Sequence, residues 1–420
     1  MSADGLSPFW VQVTSNKHVV MAAPKALVKP PLLVWARSRA KVQAEDAAKA
    51  ANVALERLEA WERGDDAPTV SQLRLLAAKY HFPLAVFYLP EPPADFAPLR
   101  DFRRLPEPGD EPITPNLAFH IRSAYERREL ALELYDELRT SPDPFPLRAT
   151  VRDDPEEIGQ AIRDFLGVDE ESQKKAARQD RAFDFWRRRL EERDVLVFVV
   201  SGSHYAVELS EMRGFAIARA QLPVIVVNGR DYSQGGKAFT LLHELAHIIL
   251  GESAISNGDA EDLGTTPEEQ RIERFCDAVA AAALMPRDLV LSLPEVASAR
   301  AQIWSDDELR NLARMIGVSR EALLIRFVSL KRASWDFYRE QRARFREEYL
   351  QAAEARKEEK RPIPIKRPVM LMSWNGRSFT RLVLRSYYDQ RITLNDVSSF
   401  LGAKVKHIPA LEHAAFQTAE

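Results

Sequence analysis

Cysteine is almost absent: Cys276 is the only one in 420 residues, so no disulfide can close within the chain. A reducing compartment, the cytoplasm, is the expected location. Charge of either sign is not in excess. Fifty-nine lysines and arginines stand against 62 aspartates and glutamates, for a net charge of −3, which excludes a globally basic nucleic-acid binder. No apolar run approaches the ~20 residues needed to cross a bilayer, and the N-terminus lacks the positive-then-apolar pattern of a secretion signal, so no membrane partner is expected. Histidine is scarce as well, with eight in the chain. Two of these, His243 and His247, fall inside one apolar run, "KAFTLLHELAHIIL", residues 237–250.

In an α-helix, positions four apart share a face. His243 and His247 therefore aim at one point, with Glu244 one residue round the helix. This is the H-E-x-x-H spacing, in which two imidazoles hold Zn2+ and the intervening carboxylate polarises the bound water. The plain alternative is a pair of core histidines. Phe239, Leu241, Leu242, Leu245, Ile248, Ile249 and Leu250 make the helix largely buried, and unpartnered imidazoles in such a core would cost several kcal/mol. Metal coordination removes that cost.

A zinc centre used in catalysis needs a third protein ligand and one open position. Downstream, "EEQRIERFCDAVAAAALMP", residues 268–286, reads as a helix on which Glu273 and Asp277 share a face. Its small apolar stretch, Ala280–Leu284, suits close packing on another helix, and either carboxylate could then reach the metal. Glu273 is the better candidate for the ligand and Asp277 for a partner that orients a histidine. Surface acids are the alternative for each taken alone.

The chain divides by composition. Residues 1–30 read as a flexible extension, in which Met21 is a second candidate start. Residues 31–92 carry five short amphipathic helical segments. Residues 93–116 are rich in proline and acids and read as a linker that wraps or tethers. In 117–332, helices at 117–139, 155–166 and 173–193 precede strand-like runs "VLVFVVSG" (195–202), "GFAIARA" (214–220) and "LPVIVVN" (222–228), then the motif helix and a helix at 267–285. "LPVIVVN" is a candidate edge strand that could pair with an extended substrate; an ordinary core strand is the alternative. A charged amphipathic helix follows at 333–362, then a small helical module at 363–420. The expected fold class is α+β, predominantly helical.

"FTLLHELAHIIL", followed some thirty residues later by an acidic helix ending in "ALMP", resembles the ImmA/IrrE family of bacterial zinc metallopeptidases over roughly residues 190–330. The resemblance implies a zincin-like domain with a small sheet, zinc bound by His243, His247 and Glu273, and Glu244 as general base. Where the family usually has asparagine, this chain has Asp277. Members cleave a helix-turn-helix repressor and so relieve repression of stress-response or mobile-element genes, which makes such a repressor the expected substrate and partner.

"AEDAAKAANVALERLEAWERGDDAPTVSQLRLLAAKY" resembles the lambda-repressor/Cro-like, or XRE, helix-turn-helix family, with "WERG" closing the recognition helix. Trp61 and Leu58 are core positions, and Glu62 corresponds to a structural acid. DNA is then a candidate partner through Arg37, Arg39 and Arg57. Exposed Glu56 and Glu59 would repel phosphates, and residues 31–92 balance eight basic against eight acidic side chains. Counterion release promises little affinity on such a face. Docking onto a protein is the competing role. His204 and Tyr205, between two strand-like runs, are candidate oxyanion stabilisers, a surface loop being their plain alternative. The expected activity is a zinc endopeptidase that regulates transcription. The rival is a DNA-binding regulator or toxin–antitoxin component that uses the zincin fold as a sensor. Oligomeric state has no sequence signature.

Overall fold

A computed structural model describes residues 25–93, 100–101, 113–200, 205–256, 266–298, 303–358 and 367–416. The chain forms two compact units that divide between Ala94 and Asp95. Among the described residues, no helix is long and apolar enough to cross a membrane.

The first unit packs helices Pro30–Arg39, Ala44–Ala50, Leu55–Arg63 and Val70–Tyr80 around Leu33, Leu58, Trp61, Leu73, Leu76 and Phe87. The fifth segment read from the sequence is a 3-10 turn, Leu84–Tyr88, rather than an α-helix. It enters from Pro83 and spans five residues, too short a run to build an α-helical ladder. Gly64 ends the third helix at φ +88°, a left-handed cap that a side chain would strain. Thr69 and Gln72 form a reciprocal capping box on the fourth.

The second unit is organised by a mixed five-stranded sheet. Its strands are β1 (Arg100–Asp101), β2 (Leu196–Val200), β3 (Gly214–Ile217), β4 (Val224–Asn228) and β5 (Ala254–Ser256), in the order β1-β5-β3-β4-β2. β2 runs parallel to β4, and β1 to β5, whereas β3 is antiparallel to both its neighbours. Two sequence expectations change here. "LPVIVVN" supplies β4, an interior strand with every residue buried, so it has no free edge to offer. Its unbroken apolar run is what burial on both faces demands. The expected linker, for its part, donates β1 to the edge of the sheet.

Period-two alternation divides the strands between two cores. Val197, Val199, Ala216, Ile225 and Val227 face the motif helix, Gln234–Leu250. Leu196, Phe198, Val200, Ile217, Val224 and Val226 face the other way, toward helix Pro115–Glu137 and the C-terminal helices Arg367–Asn375 and Arg377–Tyr388. The segment expected as a small separate module thus forms part of a third layer over the sheet. A buried ion pair fastens it there. Arg187, on helix Ala182–Glu191, donates to the carbonyls of Val197 in β2 and of Ser373, each at 2.8 Å, while Glu191 accepts from the backbone of Arg377 at 3.0 Å. The helix expected at 173–193 is two, Glu170–Arg178 and Ala182–Glu191, separated at Asp180, which sits at positive φ.

Candidate metal centre

The motif helix lies on the first face of the sheet. Ser233 caps its start by accepting from the Gly236 amide at 3.0 Å, and Gly251 ends it at φ +77°. Helix Pro267–Leu284 packs alongside, opened by a Thr266–Glu269 capping box. Its far end is held by buried polar groups. Arg163 donates to the Ala283 carbonyl at 2.9 Å, Gln173 to Leu284 at 2.8 Å and Arg326 to Met285 at 2.9 Å. Each of these terminal carbonyls, left unpaired in the core, would cost about 1–3 kcal/mol. A close approach of neighbouring helices fixes the same end: a Cβ at Gly159 would stand 2.7 Å from that of Ala282. The two helices are thereby set against each other in one register.

That register brings three donors together. His243 Nε2 and His247 Nε2 are 3.1 Å apart, and the Glu273 carboxylate lies 3.4 Å from the first and 3.1 Å from the second. All three residues are buried, and one ligand atom from each falls within 4.8 Å of the others. Asp277, one turn on from Glu273, accepts from His243 Nδ1 at 2.9 Å. A carboxylate can only accept, so Nδ1 carries a proton, which leaves Nε2 as the ring nitrogen that can offer a lone pair to a metal. Cys276 lies between these acids in sequence but outside the cluster; burial pushes its thiol well up.

Divalent zinc fits this donor set. Bonds of about 2.0–2.1 Å in a tetrahedral arrangement put neighbouring ligand atoms about 3.3 Å apart. The observed separations, 3.1–3.4 Å, bracket that value. The electrostatics agree. Burial disfavours an imidazolium at His243, but Glu273 and Asp277 override it and hold its pKa well above the ordinary histidine range. Burial dominates at His247 and lowers its pKa. Glu273 is opposed by burial too, yet its histidine neighbours bring it down to about 2. The cluster calls for positive charge at its centre.

Glu244 sits on the same helix, fully buried, with its side chain against β3. Gly214, the first residue of β3, makes room for it: a Cβ there would lie 2.8 Å from Glu244 Oε1 and 2.8 Å from Thr240 Cγ2. Sequence reasoning passed over Gly214, whose only signal is a glycine opening a strand-like run.

The other sequence candidates fall elsewhere. His204 lies outside the described residues. Tyr205 stacks its ring on Phe119 at 4.6 Å and receives His120 on its carbonyl at 2.7 Å. Both partners belong to the helix that covers the opposite face of the sheet, so Tyr205 is not brought to the cluster. In the first unit, Arg37 is committed to the fold, donating through Nε and Nη2 to both oxygens of Glu62 at 2.7 and 2.9 Å. A guanidinium held in this two-pronged way is not available to a phosphate. Arg57 remains half exposed near Asp66, at 3.5 Å, and Arg39 is partly buried.

Two imidazoles and a carboxylate from adjoining helices, with a second carboxylate between the imidazoles in sequence, fit the donor set of a single-metal hydrolytic centre. Residues 191–328 match the family model of peptidase family M78, described as the IrrE N-terminal-like domain. The match spans β2 to β5 and both helices of the cluster, and it supports the metallopeptidase class. No curated protein matches the chain.

Proposed function

We propose that this protein is a zinc-dependent endopeptidase in which His243, His247 and Glu273 hold the metal and Glu244 is the general base. The observation that carries this reading is the buried convergence of three donor atoms at tetrahedral spacing, with Glu244 on the same helix. Zinc bound there supplies Lewis acidity toward a water and toward the carbonyl of the scissile peptide. Glu244 accepts the proton of the attacking water and returns it to the departing amide nitrogen. Asp277 holds His243 in the tautomer that presents Nε2. The clamp of Arg163, Gln173 and Arg326 keeps Glu273 in reach of both imidazoles.

The proposed substrate is a helix-turn-helix repressor, cleaved to release stress-response or mobile-element genes. The first unit, a helix-turn-helix of the XRE kind in this reading, serves to dock protein rather than to read DNA. The pairing of Arg37 with Glu62 and the acidic exposed positions of helix Leu55–Arg63 favour that role. The test is incubation with a repressor encoded beside this chain, with and without chelator. Chelator-sensitive cleavage that E244Q abolishes is the expected result. Zinc-independent operator binding without cleavage would instead establish a non-proteolytic regulator.

A further inference from the structure

Gly214 contributes no functional group, yet its place in the sheet controls the group beside it. β3 is paired on both sides at this residue, with Val227 of β4 and with Ser256 of β5. The amide of Asn228 also donates to the carbonyl of the preceding residue, Arg213, at 2.8 Å. The backbone at Gly214 is therefore held by ladders on either side and has little freedom to retreat. Across from it lies the motif helix, whose Thr240 and Glu244, four residues apart, present their side chains to this point.

A methyl group at position 214 would stand 2.8 Å from Glu244 Oε1, 3.0 Å from Glu244 Cγ and 2.8 Å from Thr240 Cγ2. Ordinary contact begins at 3.4 Å, so the carboxylate oxygen would have to withdraw by at least the difference, 3.4 − 2.8 Å. Which atoms move follows from what is free to move. The strand backbone is pinned and the helix is fixed by its packing, whereas Oε1 is the end of a side chain with three torsions. A methyl here turns the Glu244 carboxylate away, and its contact with Thr240 Cγ2 adds a cost to the fold.

We propose that Gly214 is a positioning residue: the absent side chain reserves the volume in which the Glu244 carboxylate is held for proton transfer. The inference rests on the peptidase reading and adds to it the constraint that fixes the base. Misplacing a catalytic group by about 1 Å costs as much as ~10²-fold. An alanine at 214 thus acts as a remote replacement of Glu244, while His243, His247 and Glu273 keep the metal.

The test separates metal binding from positioning of the base. Wild type, G214A, E244Q and the double variant G214A/T240S are loaded with zinc. Metal content is measured by mass spectrometry, and the melting temperature is recorded. Binding of benzyloxycarbonyl-leucine hydroxamate, a metal-seeking group whose proton needs a neighbouring carboxylate, is measured by calorimetry. Zinc content at the wild-type level in G214A, with hydroxamate affinity reduced about tenfold or more toward that of E244Q, is expected. Removing the Thr240 methyl relieves its contact with the new side chain and leaves the one with Glu244, so G214A/T240S should fold at least as well as G214A and bind the hydroxamate as weakly. A folded, zinc-replete G214A that binds the hydroxamate as wild type does overturns the inference and leaves the peptidase reading standing. Failure of wild type itself to take up zinc overturns both. If G214A fails to fold, a folded, zinc-replete G214A/T240S that binds the hydroxamate as wild type does decides against the proposal, and a weakened one decides for it.

Discussion

Truncating Asp277 to alanine removes the acceptor of His243 Nδ1, 2.9 Å away, while leaving every proposed zinc ligand in place. A hydrogen bond to a charged group contributes about 1.5–3 kcal/mol. Because 38% of the Asp277 side chain is exposed, solvent screening places this one at the low end. About 1.4 kcal/mol corresponds to a tenfold loss of zinc affinity. D277N keeps an oxygen at the same position and loses only the charge, so its affinity should stay within about threefold of wild type. Competition against a chromophoric chelator at fixed pH and salt measures all three proteins, with melting temperatures after metal removal as a control on folding. The reasoning fails if D277A binds zinc as tightly as wild type. It fails differently if D277N is as impaired as D277A, for then charge rather than ring orientation is what Asp277 supplies.

E244Q should retain full zinc occupancy and lose cleavage by roughly 10²–10⁴-fold, which metal analysis and repressor digestion can check on one sample. G159A should drive helix Pro155–Leu166 against helix Pro267–Leu284, since the new Cβ would lie 2.7 Å from Ala282 Cβ and 2.8 Å from backbone. Overpacking of this kind costs about 1–3 kcal/mol, read as a lower urea midpoint. Asp306 is opposed by burial, but Arg320 and its neighbours Arg310 and Arg344 hold its pKa below the ordinary value of 3.8. Its pairing therefore adds stability above that pH and loses it as pH falls through the lower folded value. D306N should flatten this acid limb; urea midpoints at several pH values between neutrality and the acid transition would show an unchanged slope if the pairing has no effect.

The donor cluster was largely legible in the chain because its information is local. His243 and His247 are one helical turn apart, as are Glu273 and Asp277, and a period of 3.6 residues puts each pair on one face without any knowledge of the fold. The meeting of the two helices was legible in outline, through the small residues from Ala280 to Ala283. What sets their register was not: Arg163, Gln173 and Arg326 come from three other helices and act on carbonyls, which leave no mark in the residue pattern. Strand order was equally hidden. "LPVIVVN" reads the same at an edge as in the interior, and only pairing with β2 and β3 places it within the sheet. Tyr205 has the right chemistry for an oxyanion partner, but its ring packs on Phe119, of the helix on the far face of the sheet, a placement its neighbours in sequence do not encode. Gly214 escaped because its contribution is an empty volume, visible only when Glu244 is seen across from it.

The fastening of Ser373 and Arg377 to Arg187 and Glu191 bears on how this unit comes into being. Residues emerging early from the ribosome build the strands and the helices that carry the donors. One side of those strands, against which helix Pro115–Glu137 packs, nevertheless remains only partly covered until Leu371, Phe379 and Val383 have been synthesised and seated. A fragment stopped near residue 328, where the family resemblance ends, would expose that wall to water and to its neighbours, and insolubility is its natural fate.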